Sequence, residues 1–102
     1  MTFPISTFEV HIPSDITQKG LNYFVLGQVS SLVLNGNSWS AAVNGTQPYS
    51  VKIEVEKGNV TQWACDCPYD HGPICKHVTA VMWAILNDTL KEVAAPKGGI
   101  KR

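Results

Sequence analysis

The chain has 102 residues, 44% hydrophobic and 16% charged, and its eight basic and eight acidic side chains balance to zero. That suffices for one domain with a modest core, removing roughly two-thirds of the unfolded surface from water. An odd cysteine count of three argues against a disulfide framework, as does an amino terminus without a basic start and continuous apolar core, and no apolar run approaches a bilayer span, so a soluble protein in a reducing, cytoplasmic compartment is expected.

The first thirteen residues form an amino-terminal arm, where Phe8-Glu9-Val10-His11-Ile12 alternates apolar and polar and suggests a short strand, with one turn of helix as the alternative. From Ser14 a helix is expected. Asp15 is its predicted cap, Gln18 the capping-box partner, Ile16, Tyr23 and Phe24 its apolar stripe, and Gly27 its stop. Gly20 falls in the helix interior at a cost of about 1 kcal/mol relative to alanine, which points to close packing against a neighbour.

Four strands follow. Gln28 to Leu34 places Leu32 and Leu34 on one face, and Asn35-Gly36 signals a hairpin into Asn37 to Val43, with Trp39, Ala41 and Val43 on one face. Beyond the turn at Asn44-Gly45, Tyr49, Val51, Ile53 and Val55 point inward while Lys52, Glu54 and Glu56 face water. Lys57-Gly58-Asn59 turns into Val60 to Cys65, where Trp63 shares parity with Cys65 and Cys67 and is placed to shield a metal held there. The last element starts near Cys75, carries Val78, Val81, Met82, Ile85 and Leu86 at helical spacing to lie on the sheet, and frays after Leu90. Trp83 falls off that stripe, which makes it a candidate partner contact; Met82 reads as core. The expected fold is α+β: a four-stranded antiparallel meander between an amino-terminal and a carboxy-terminal helix. It forms a single domain over residues 1–95 with its core at 15–90, followed by a disordered basic tail at 96–102.

Cys65-x-Cys67, seven residues, then Cys75-x-His77 place four soft-metal ligands within thirteen positions. Alternate residues of a strand share a face, so Cys65 and Cys67 can aim both sulfurs at one point. Residues two apart on a helix diverge by roughly 200°, so Cys75 belongs just before the helix and His77 in its first turn. The intervening Pro68-Tyr69-Asp70-His71-Gly72-Pro73-Ile74 breaks any regular element and lets the chain fold back. Four protein ligands fill a tetrahedral sphere, the mark of a structural zinc rather than a catalytic one. Three thiolates and a neutral imidazole around a divalent ion leave one net negative charge, which the amino end of the helix would stabilise. Scattered core cysteines have no reason to adopt both spacings at once. His71, Asp66 and Asp70 lie close enough to compete, but His77 ranks above them because it opens the apolar-periodic run.

The motif Cys65-x-Cys67-x7-Cys75-x-His77, continued by Ala80, resembles the SWIM zinc finger. The similarity extends upstream through Gly20-Leu21-Asn22-Tyr23-Phe24, Gly27-Gln28-Val29, Gly45-Thr46-Gln47-Pro48-Tyr49 and Cys67-Pro68-Tyr69-Asp70 to the amino-terminal region of longer bacterial proteins with this finger, covering about residues 15 to 86. The resemblance implies a zinc-stabilised antiparallel sheet capped by helices, with Cys65, Cys67, Cys75 and His77 as ligands. It also implies protein or nucleic-acid interaction without enzymatic activity, at times beside a helicase-like ATPase. No Walker-type glycine loop is present, so an ATPase would be a separate chain or region.

The tail holds Lys97, Lys101 and Arg102 and no acid, leaving a body of five basic and eight acidic residues, net −3. Such a body is a poor partner for phosphate backbones, so the expectation is a zinc module that recognises another protein. Direct DNA or RNA binding is the second reading and would need Lys52, Lys57, Lys76 and the tail on one surface. A zinc deaminase or hydrolase fares poorly, because the histidine, glutamate and Cys-x-x-Cys arrangement of nucleobase deaminases is missing. No membrane contact and no small-molecule substrate are expected.

Overall fold

A computed structural model describes residues 2–67 and 74–94, the last six as backbone only. Its sheet has five antiparallel strands in the order β1-β5-β4-β3-β2: β1 (Phe3–Pro4), β2 (Val29–Asn35), β3 (Ser38–Asn44), β4 (Pro48–Glu56) and β5 (Asn59–Cys65). Helix α1 (Ser14–Val25) precedes the meander and α2 (Lys76–Ala94) follows it, continuing past the expected fraying point at Leu90. The fold is α+β as expected, with one strand more. The extra strand pairs Phe3 with Val60 and Pro4 with Asn59, too short to leave a periodic signal.

The amino-terminal arm corrects the expected strand at residues 8–12. A 3-10 helix runs through Ile5–Val10 and is anchored where the Ile5 N–H donates to the Gly58 carbonyl at 2.9 Å. It buries Ile5 and Phe8, while Val10 is 72% exposed, the reverse of what alternation on a strand face would require. Phe3, Phe8 and Ile12 join the same core as the sheet and α2, so the arm is part of the core.

Helix α1 starts without the predicted capping box. Pro13 stands at the cap, its carbonyl accepting from the N–H groups of Ile16 and Thr17, and no side chain caps the end. Asp15 falls in the first turn, where its charge suits the helix dipole. The other end follows the sequence. Gln28 N–H bonds the Tyr23 carbonyl and Gly27 N–H that of Phe24, a Schellman closure that needs the left-handed backbone of Gly27, φ +76°.

Ser31 at φ +58° opens a bulge between Ser30 and Val33; beyond it Leu34 pairs with Trp39 on the inner face but stays 51% exposed, while Leu32 packs against the core. A second irregularity near Thr61 keeps both Val60 and Trp63 on the inner side of β5. Ala41, Val43, Tyr49, Val51 and Ile53 line that inner face as predicted.

Helix α2 lies between α1 and the sheet, so it buries more than one stripe: Val78, Val81, Met82 and Ile85 are joined by Thr79, Ala80 and Ala84. The Thr79 hydroxyl is 3.1 Å from the Ile16 carbonyl on α1, and one turn on the Trp83 indole N–H donates to the Thr17 carbonyl at 3.0 Å. Trp83 also meets Phe8 edge-on, 4.8 Å between ring centroids. The residue read as a candidate partner contact is therefore a clamp between α2, α1 and the arm.

Candidate metal centre

Strand β5 ends on Cys65, which pairs with the buried Val51 and so faces inward. Beyond it the strand geometry is carried one step further by Asp66, whose N–H reaches the Ser50 carbonyl at 3.3 Å while its carboxylate accepts the Ser50 N–H at 2.9 Å. Because β4 holds Asp66 outward, Cys67 returns to the side of Cys65. Asp66 is thus engaged away from the cluster and does not compete as a ligand. Asp70 and His71, the other competitors, lie outside the described residues.

From the other side, Cys75 sits at the cap of α2. Its carbonyl accepts the Thr79 N–H at 3.3 Å, and its sulfur takes hydrogen bonds from the N–H groups of His77 and Val78, the office a serine or aspartate oxygen fills at other helix starts. His77 follows in the first turn and turns Nδ1 to the cluster, 3.9 Å from the sulfurs of both Cys65 and Cys75.

All four donor atoms of Cys65, Cys67, Cys75 and His77 lie within 4.8 Å of one another. A tetrahedron built on zinc bonds of about 2.0–2.3 Å has edges of about 3.3–3.8 Å, so closing on an ion needs shifts of no more than about 1 Å. Three soft thiols and one imidazole are the donor set of a structural zinc, and the site fits one such ion. Cys75 and His77 are both 5% exposed, and burial of this kind excludes the solvent that would compete for the metal.

Without metal, the Cys65 thiol is placed to hydrogen-bond the Cys75 sulfur, so the two titrate as a pair. The hydrogen bond from the Cys65 thiol holds Cys75 down at about 5, helped by the Val78 and His77 amides against the opposing effect of burial. The same bond, with burial, pushes Cys65 far above the ordinary thiol value of 9.0. At neutral pH an incoming ion therefore meets a ready thiolate at Cys75 and must displace the proton of Cys65. Zinc uptake at pH 7 is expected to release protons, the pair giving up the one it holds, and affinity should fall as pH drops across the neutral range and more steeply below about 5, where Cys75 also protonates. Calorimetric titration in buffers of different ionisation heat measures this; a binding heat independent of the buffer would contradict it.

His77 is enclosed by aromatic rings. Tyr49 lies against it at 4.5 Å and 32°, Tyr23 meets it edge-on at 5.4 Å, and the Lys76 ammonium stands 5.6 Å over the Tyr23 ring. Tyr49 and Tyr23 are the neighbours that residue-by-residue reading did not assign. The Trp63 indole lies against Phe3, 5.6 Å between centroids, on the same face of β5 as Cys65.

An antiparallel sheet whose last strand and following helix cap bring three thiols and an imidazole to one point defines a metal-binding zinc module. Within that class, residues 49–86 match the family model of the SWIM zinc finger, from Tyr49 on β4 to Leu86 on α2. No curated protein and no solved structure matches the chain.

Proposed function

We propose that the chain is a non-enzymatic module in which Cys65, Cys67, Cys75 and His77 hold one structural zinc, and that it docks another protein on the outer face of its sheet. The observation that carries this reading is the one-sided packing: both helices lie on the inner face, and the outer face holds an open groove of about 750 Å³. Its floor is made of small side chains, Ser40, Ala42, Ser50 and Ala64, with Val33 at 53% exposure and Lys52 beside them. A concave, mostly apolar surface with a few polar groups is suited to a protein segment.

The lysines favour protein over nucleic acid. Lys52 lies in the outer groove, whereas Lys76 opens α2 on the inner side and is turned to Tyr23. The two do not form the single basic surface that phosphate binding requires. A sphere filled by four protein ligands leaves zinc no position for a reactive water, which supports a role without catalysis. No described helix is long and apolar enough to cross a membrane. A reducing, cytoplasmic setting suits the three thiols, and the resemblance offers a helicase-like ATPase as one class of protein partner.

Ala42→Arg fills the groove without touching the cluster. It should leave zinc content and circular dichroism unchanged and weaken capture of a protein partner by about tenfold or more, as expected at the centre of an interface. Fluorescence anisotropy with a labelled DNA duplex over a salt series separates the alternative. Submicromolar duplex binding near physiological salt would defeat the protein-docking reading.

A further inference from the structure

We infer that the β3–β4 turn is a positioning clamp for His77, in which Gly45, Thr46 and Tyr49 fix the imidazole so that Nδ1 is the metal donor and Nε2 keeps its proton. The inference rests on the zinc reading above and adds to it which nitrogen binds and what selects it.

Three observations meet at this turn. The Nδ1 atom is 3.9 Å from both the Cys65 and Cys75 sulfurs, so the ring edge facing the cluster is defined. On the far edge, the backbone of Gly45 approaches so closely that a methyl group there would sit 3.3 Å from His77 Nε2 and 3.0 Å from Tyr49 Cε2. Glycine at 45 is thus explained by close approach and not by an unusual backbone angle. Against the ring face lies Tyr49, itself 8% exposed and tethered by a 3.0 Å hydrogen bond between its hydroxyl and that of Thr46. The turn is braced in its own right, Gly45 N–H donating to the Gln47 carbonyl at 3.0 Å and Asn44 N–H to that of Gln28 at 2.9 Å.

A ligating histidine owes its tautomer and ring orientation to groups that do not touch the metal, and loss of such groups costs about 10–100-fold in metal affinity. Here that duty falls to a hairpin turn far from the ligands in sequence. Tyr49, Tyr23 and the Gly45 backbone hold the ring where it stands, with Nδ1 toward the sulfurs.

The test is imidazole NMR of the zinc-loaded chain, combined with chelator competition on Tyr49→Leu, Tyr49→Phe and Gly45→Ala. The parent should show a metal-bound Nδ1 and a protonated Nε2. Tyr49→Leu and Gly45→Ala should each still bind one zinc but about tenfold more weakly, with an altered imidazole signature and a shifted visible spectrum of the cobalt(II) form. Tyr49→Phe keeps the ring but loses the Thr46 tether and should bind zinc with an affinity between those of the parent and Tyr49→Leu. Should Tyr49→Leu fail to fold, Gly45→Ala carries the test. Zinc held through Nε2, or both variants binding with parental affinity and spectra, would overturn the clamp while leaving the zinc site standing; failure of the parent to bind zinc would instead remove the reading beneath it.

Discussion

Replacing Cys75 with serine is expected to abolish stoichiometric zinc binding and with it the cooperative fold. Serine is nearly isosteric and is itself a good helix cap, so the start of α2 keeps its hydrogen-bonding partner. What is lost is a thiolate. A structural zinc supplies on the order of 10 kcal/mol of apparent binding energy at neutral pH, which equals the whole net stability of about 5–15 kcal/mol of an ordinary domain. The core here gains from the metal where two elements meet, because the cluster joins the end of β5 to the start of α2. Thermal melting by circular dichroism, with and without added zinc, should show the parent melting cooperatively and Cys75→Ser melting more than about 20 °C lower or with no transition. A variant that melts within a few degrees of the parent would show that the thiolate contributes little.

The second large effect is expected at Gly20. A methyl group there would collide with the Thr79 hydroxyl oxygen and lie 2.8 Å from both the Thr79 Cβ and the Ala80 backbone nitrogen. Neither can give way cheaply: Thr79 is fully buried and bonded to the Ile16 and Lys76 carbonyls, and Ala80 is part of the helix backbone. In an isolated helix, Gly→Ala would gain about 1 kcal/mol. Here overpacking costs typically 1–3 kcal/mol, and prying α1 from α2 also breaks the Thr79 and Trp83 hydrogen bonds across the interface. The balance is a net loss of about 2 kcal/mol, a drop in melting temperature on the order of 10 °C. Gly20→Ala measured against Asn22→Ala, at an exposed position of the same helix, isolates the steric cost from propensity. A Gly20→Ala chain more stable than the parent would contradict the close helix packing.

The metal centre was legible because two backbone periods leave a trace in the order of residues. Cys65 and Cys67 alternate as strand residues do, and Cys75 with His77 straddles a helix start. Gly27 announced the end of α1, and Gly20 the contact with α2, each because only glycine satisfies the geometry found there. Features made by tertiary contact were not legible. Strand β1 has two residues, and its pairing is dictated by Val60 and not by its own pattern. The bulge at Ser31 rests on a backbone angle that a serine does not advertise. Trp83 lies off the main apolar stripe yet is engaged, because helical spacing measures distance from one stripe while α2 meets a second helix as well as the sheet. The small outward residues Ser40, Ala42, Ser50 and Ala64 are a trace of the open outer face in the sequence, carried by side-chain size and not by polarity. Tyr49 was seen as an inward strand residue. Its role against His77 depends on the register Val43 to Tyr49, which only the folded hairpin fixes.

The central claim is that one ion joins the end of the sheet to the first turn of α2. Native mass spectrometry of the purified, reduced chain, followed by chelator treatment monitored by circular dichroism, tests it most directly. The expected result is one zinc per chain and loss of the cooperative fold when the metal is withdrawn, with recovery on its return. A chain that carries no stoichiometric metal, or that keeps its fold after the metal has gone, would contradict it.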